Sequence, residues 1–98
     1  MIDHLVFLAA NEDASPDDIE DLISSIRNLK DTVPGVVDLS VGENFSPRSG
    51  GYTHGLFVRF ETREDLQGYI EHPDHQAVVE KLDRLTSRIV VDYEFSRA

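Results

Sequence analysis

Cysteine is absent from these 98 residues, which removes disulfides, thiol nucleophiles and zinc–thiolate sites together. Positive charge is scarce: 9 Lys and Arg stand against 19 Asp and Glu, for a formal net charge of -10. Such a chain repels phosphate backbones and anionic lipid surfaces at long range, which excludes nucleic acid and membrane as partners. Long apolar runs are missing too. Leu5 to Ala10 is too short to span a bilayer, and Met1-Ile2-Asp3-His4 lacks the basic region of a signal peptide, so a soluble, cytoplasmic protein is expected. Repeats, linkers and low-complexity segments are also absent, and residues 1–98 read as one domain. A chain this short buries a smaller share of its surface than a longer one, and oligomerisation would help it.

Several chemistries lack their motifs. No GK[ST] follows Gly50-Gly51, so that pair is a turn and not a phosphate cradle. No HExxH pattern supports zinc, and Pro73 breaks the helix that would aim His72 and His75 at one ion, so no metal is expected. Asn44-Phe45-Ser46 matches a glycosylation sequon by chance, given the following Pro47.

The residues that are present give a clear order of elements. Ile2 to Ala10 reads as a strand apolar on both faces, with Ile2, Val6 and Leu8 on one and Leu5, Phe7 and Ala9 on the other. A strand buried on one side only would alternate. Ser15 sits where an N-cap belongs, Pro16 is the first helical residue, and Ile19, Leu22, Ile23, Ile26 and Leu29 form an amphipathic stripe. Pro34-Gly35 ends that helix after Val33. Val36 to Phe45 and Tyr52 to Glu61 read as a hairpin with a mobile, turn-rich loop between them. Thr62 caps a short helix over Arg63 to Glu71. Pro73 pushes His72 out of the helical region and starts a new helix with the stripe Val78, Val79, Leu82 and Leu85. Arg88 to Phe95 is the last strand. This order predicts an α+β, ferredoxin-like split βαβ: an antiparallel four-stranded sheet with helices on one face. The second apolar face of the first strand, together with Leu39 and Val41, predicts a homodimer built by sheet packing.

Chemistry concentrates in Tyr69-Ile70-Glu71-His72-Pro73-Asp74-His75, which holds two of the chain's 4 histidines. His75, third in a helix begun by Pro73, lies near free backbone N–H groups and the positive end of the helix dipole, which favour a neutral ring able to accept a proton. The bland alternative is a core histidine satisfied by Tyr69 or a backbone carbonyl. Tyr69 shares a helix face with Leu66 and Ile70 and is either core filling or the partner of His75 or a ligand. His72, before Pro73, reads as a structural cap. His4 and His54 share strand parity with Val6 and Leu56, so both are expected to face the interior that His75 faces. Tyr52 stands at its mouth, and Val79 and Leu82 form its wall. Each histidine can equally be a satisfied buried group, and Tyr52 a sheet-edge aromatic.

In chain order, His4, Pro34-Gly35, Gly42-x-Asn44, Gly51-Tyr52-Thr53-His54, Arg59-Phe60-Glu61, Tyr69-x-x-His72-Pro73-x-His75 and Asp92-Tyr93 resemble the stress-responsive A/B-barrel (Dabb) family. The resemblance covers nearly the whole chain. It implies a dimeric α/β barrel made of two packed sheets, and from a family member with cyclase activity it implies His75 as general base with Tyr69 holding it or the substrate. Three readings follow. One is a cofactor-free acid/base enzyme, an aldol-type cyclase, isomerase or lyase acting on a small carbonyl compound. The second is a non-catalytic stress-response protein that binds a small hydrophobic molecule, and the third is a cofactor-free monooxygenase of the related barrel superfamily. The aliphatic stripe Val78, Val79, Leu82 and Leu85 replaces the aromatic residues that surround an alkyl-chain tunnel in the cyclase, so a long polyketide substrate is not expected.

Overall fold

A computed structural model describes residues 1–96, so the last two positions of the expected 1–98 domain lie outside the described residues. The elements run β1 (Ile2–Ala10), α1 (Pro16–Thr32), β2 (Val36–Glu43), β3 (His54–Phe60), α2 (Arg63–Glu71), α3 (Pro73–Leu85) and β4 (Thr86–Glu94). The strands form one antiparallel sheet in the order β2-β3-β1-β4, and the helices cover one face, as in the ferredoxin-like fold. No described helix is long and apolar enough to cross a membrane.

Local chemistry sets the element ends. Ser15 Oγ accepts the Asp18 amide at 3.1 Å, and Thr62 Oγ1 accepts the Asp65 amide at 3.1 Å. Each cap contributes about 1 kcal/mol. After α1 the chain turns through Gly35 at φ +90°, where a Cβ would also lie 3.2 Å from the Asp65 side chain. Only glycine meets both conditions.

The hairpin strands are shorter than expected, with β2 ending at Glu43 instead of Phe45 and β3 starting at His54 instead of Tyr52. Asn44 is the cause. Its amide N–H donates to the Thr53 carbonyl at 2.8 Å, its side chain donates to the Tyr52 carbonyl at 2.9 Å, and its Oδ1 accepts the Ser46 amide at 2.9 Å. A polar side chain thus takes over from the strand ladder. The loop read as mobile is tied down further by Arg48 N donating to Ser46 Oγ and Tyr52 N donating to the Ser49 carbonyl. At the other end, β4 starts at Thr86 and not Arg88, with the Thr86 hydroxyl donating to the Leu82 carbonyl at 2.8 Å.

Even-numbered positions of β1 point to the helices: Ile2, His4, Val6 and Leu8 are buried with Leu56, Val58 and Phe60 of β3 and Leu22, Ile26 and Leu29 of α1. Odd positions face away from them. There Phe7 is 44% exposed beside its cross-strand partner Ile89 at 47%, with Val91 at 44% and Tyr93 at 47% further along β4. Leu39 and Val41 do not belong to this open face. They pair with Val58 and Leu56 and pack against the helix-side core, which corrects the expectation that they help form a second apolar surface. At one end of the open face the buried Asp3 carboxylate takes a bidentate pair from Arg59 at 2.7 and 3.0 Å. Arg59 holds the Asp3 carboxyl below the usual carboxylate range, and its own guanidinium lies 4.8 Å from the Phe95 ring centroid.

Candidate functional site

A helix running on past Glu71 would bond the Asp74 amide to the Ile70 carbonyl. The break at His72-Pro73 diverts it: the Asp74 amide donates to His72 Nδ1 at 3.1 Å, and His72 becomes the N-cap of α3. The Ile70 carbonyl is left over, and it accepts from His75 Nδ1 at 3.1 Å and from Gln76 Nε2 at 2.7 Å. A carbonyl can only accept, so the His75 proton sits on Nδ1 and Nε2 keeps its lone pair. Burial holds the His75 imidazole below its ordinary pKa, the Ile70 carbonyl opposes this, and the neighbouring positive charge of Arg88 and of protonated His4 and His72 adds to it.

Tyr69, from the α2 face that also carries Leu66, is 1% exposed and lies between Phe60, at 5.1 Å, and His75, at 4.3 Å, centroid to centroid. Burial pushes its phenol well above the ordinary range, so the group stays an O–H donor. That hydroxyl makes no hydrogen bond to another described residue. It is not sealed in apolar surroundings either, since no buried side-chain nitrogen or oxygen among the described residues lacks a partner.

His4 adds a third polar group, with its ring 6.0 Å from that of Tyr69. Its Nδ1 is hydrogen-bonded to Oδ1 of Asp92, the residue directly opposite on β4. His4, Tyr69, His75 and Asp92 all border one cavity of about 300 Å³, whose aliphatic wall includes Val79 and Leu82. That volume is at the lower end of the range for small-molecule sites, roughly 300–1,000 Å³.

His54 and Tyr52 are not part of this cavity, which corrects their expected placement. His54 pairs with Leu8, four positions along β1 from His4, and at about 3.3 Å per residue that sets it roughly 13 Å away. It borders two shallower hollows of about 680 and 610 Å³ at the hairpin end of the sheet. Tyr52 precedes β3, so strand parity does not govern it, and its ring packs 5.9 Å from Phe7 on the open face. Strand parity would have added two residues that sequence reasoning did not place at the site. Arg88 and Asp92 lie on one face of β4 and both border the cavity, Arg88 with one guanidinium nitrogen 2.8 Å from Asp83. Among the described residues no three of His, Asp and Glu are grouped to hold a metal ion.

The family model for the stress responsive A/B barrel domain matches residues 2–95 of this chain. The chain belongs to that family. Olivetolic acid cyclase from Cannabis sativa is 30% identical to this A/B barrel domain over 76 residues, which is 76% of this chain and 75% of the cyclase. A crystal structure of an Arabidopsis thaliana protein is similar at a TM-score of 0.91 and 26% identity, covering 100% of this chain and 98% of the other. A Bacteroides fragilis protein of unknown function, described as dimeric and ferredoxin-like, is similar at a TM-score of 0.82 and 25% identity, with 96% and 95% covered. In this A/B barrel domain the helix break before Pro73 frees one carbonyl, and that carbonyl orients one imidazole toward the cavity.

Proposed function

We propose that this A/B barrel domain is an acid/base enzyme that enolises a small carbonyl compound in the cavity between sheet and helices. The supporting observation is the pair of uncommitted polar atoms there: the Tyr69 hydroxyl, without a partner among the described residues, and His75 Nε2, whose lone pair is left by the bond from Nδ1 to Ile70. Nε2 takes a proton from the carbon beside the carbonyl while the Tyr69 O–H donates to the carbonyl oxygen as it gains negative charge. The enolate can then add to a second carbonyl, expel a leaving group or be reprotonated, as in cyclase, lyase or isomerase chemistry. These steps need no cofactor. The dimeric Bacteroides fragilis relative and the open apolar face of Phe7, Ile89, Val91 and Tyr93 support a homodimer through that face.

The test is deuterium exchange at the methyl group of acetophenone in D₂O, followed by proton NMR. Wild-type protein should accelerate exchange, and His75→Ala should return it to the buffer rate. The family's stress-response name supports a second reading, a carrier that holds an apolar molecule without turnover. Binding of acetophenone with no accelerated exchange would favour it.

A further inference from the structure

The cavity contains a second imidazole whose outer nitrogen is uncommitted. His4 is 6% exposed, and its one hydrogen bond to a described side chain runs from Nδ1 to Asp92. An ionised carboxylate only accepts, so Nδ1 carries a proton and Nε2 is free to take up a second one and give it away again. His4 Nε2 is not sealed off, as no buried side-chain nitrogen or oxygen among the described residues lacks a partner, and its ring borders the same cavity as Tyr69 and His75. A histidine kept only for packing needs neither a carboxylate across the strand pair nor a second ring nitrogen open to a cavity.

We propose that His4, oriented by Asp92, is a second proton-transfer group of this site, so that one bound molecule loses a proton to His75 and gains one from His4. The proposal rests on the enolisation reading above. In the step, the C–H bond beside the carbonyl breaks, its proton goes to His75 Nε2 and its electron pair forms the enolate. His4 Nε2–H then gives its proton to the enolate oxygen or to a second carbon, and His4 ends neutral with His75 protonated. Asp92 balances the charge of His4 while it carries two protons, and the Asp92 side chain, 38% exposed, gives the pair access to solvent for resetting. The two imidazoles have backing groups of opposite kinds, a neutral carbonyl for His75 and a carboxylate for His4, and such a difference separates a base from an acid. His4 would touch substrate; Asp92 is a positioning residue.

The groups that face His4 are Asp92 and Arg88 from β4, Tyr69 from α2 and His75 from α3. Acetophenone exchange should therefore fall at low pH as His75 protonates. Asp92→Asn should cut the rate about 10-fold and alter its pH profile, and His4→Phe should cut it about 100-fold, the size usual for a general acid. His54→Ala, at the far end of the sheet, should keep the wild-type rate. If His4→Phe fails to fold, Asp92→Asn with its pH profile and long-range proton–nitrogen NMR of the His4 ring decides the matter. Wild-type exchange lost in His75→Ala but unchanged in rate and pH profile by Asp92→Asn would overturn the His4 role alone. No exchange by wild-type protein would overturn both it and the enolisation reading.

Discussion

Tyr69 and His75 stand 4.3 Å apart, ring centroid to ring centroid, yet they do not hydrogen-bond to each other. His75 is held by the Ile70 carbonyl, and the Tyr69 hydroxyl is left for whatever enters the cavity. Removing that hydroxyl therefore breaks no bond within the described protein. Tyr69→Phe should leave stability within about 1 kcal/mol of wild type and lower acetophenone exchange less than His75→Ala does. Chemical denaturation and the exchange assay on the same preparations check both halves.

The His75 pKa lies below 6.5, chiefly through burial, and this has a signed effect on stability. Between the folded value and about 6.5 the unfolded chain binds a proton that the folded chain refuses. Stability should thus fall as pH drops from about 6.5, then level off below the folded pKa, and be unaffected above 6.5. His75→Gln should flatten that stretch of a urea-midpoint series. Asp3 acts in a separate window: held down by Arg59, it contributes stability above its usual 3.8 that is lost as pH falls through its lower folded value. NMR titration of the histidines checks the first point directly, and a His75 pKa at or above 6.5 would contradict it.

His72 caps α3 through Nδ1, so His72→Ala should destabilise the protein by about 1 kcal/mol. His72→Asn, a better cap former than alanine, should restore much of that. Chelator treatment should leave the wild-type melting temperature unchanged, because among the described residues no three of His, Asp and Glu are grouped to hold an ion. Near-stoichiometric zinc in protein purified without chelator, lost in His72→Ala, would refute this.

The open sheet face supplies a test of the dimer. Phe7→Glu places a charge among Ile89, Val91 and Tyr93 and should give a monomer or an unfolded chain in light scattering, while wild type remains a dimer at micromolar concentration. A monomeric wild type would remove the basis for sheet packing.

Asp3 and Arg59 form a pair whose members are unequally exposed, 3% for the Asp3 side chain and 30% for Arg59. Water can reach Arg59 when its partner is removed, but not Asp3. Arg59→Ala should therefore destabilise more than Asp3→Asn, and part of that loss should be recovered at low pH as the stranded carboxylate protonates. Urea titrations at two pH values measure the difference.

The element order, the Ser15 cap, the stop at Pro34-Gly35 and the helix break at His72-Pro73 were legible in the sequence, because each follows from residues within a few positions of one another. The same locality made Tyr69 and His75 stand out. Sequence could not show that the Ile70 carbonyl, released by the break, orients His75, nor that Asn44 would close the hairpin early. Strand parity correctly turned His4 inward, but it could not say how far apart His4 and His54 would lie, because that depends on the register of β1 against β3. Apolar character alone assigned Leu39 and Val41 to the sheet-packing surface, whereas the pairing of β2 with β3 turns them into the core. The pairing of His4 with Asp92, distant in sequence and opposed only once β1 and β4 are neighbours, was decided by the tertiary structure. A hydrogen bond between side chains on different strands depends on which strands adjoin and in what register, and both are set by how the whole sheet and its helices pack.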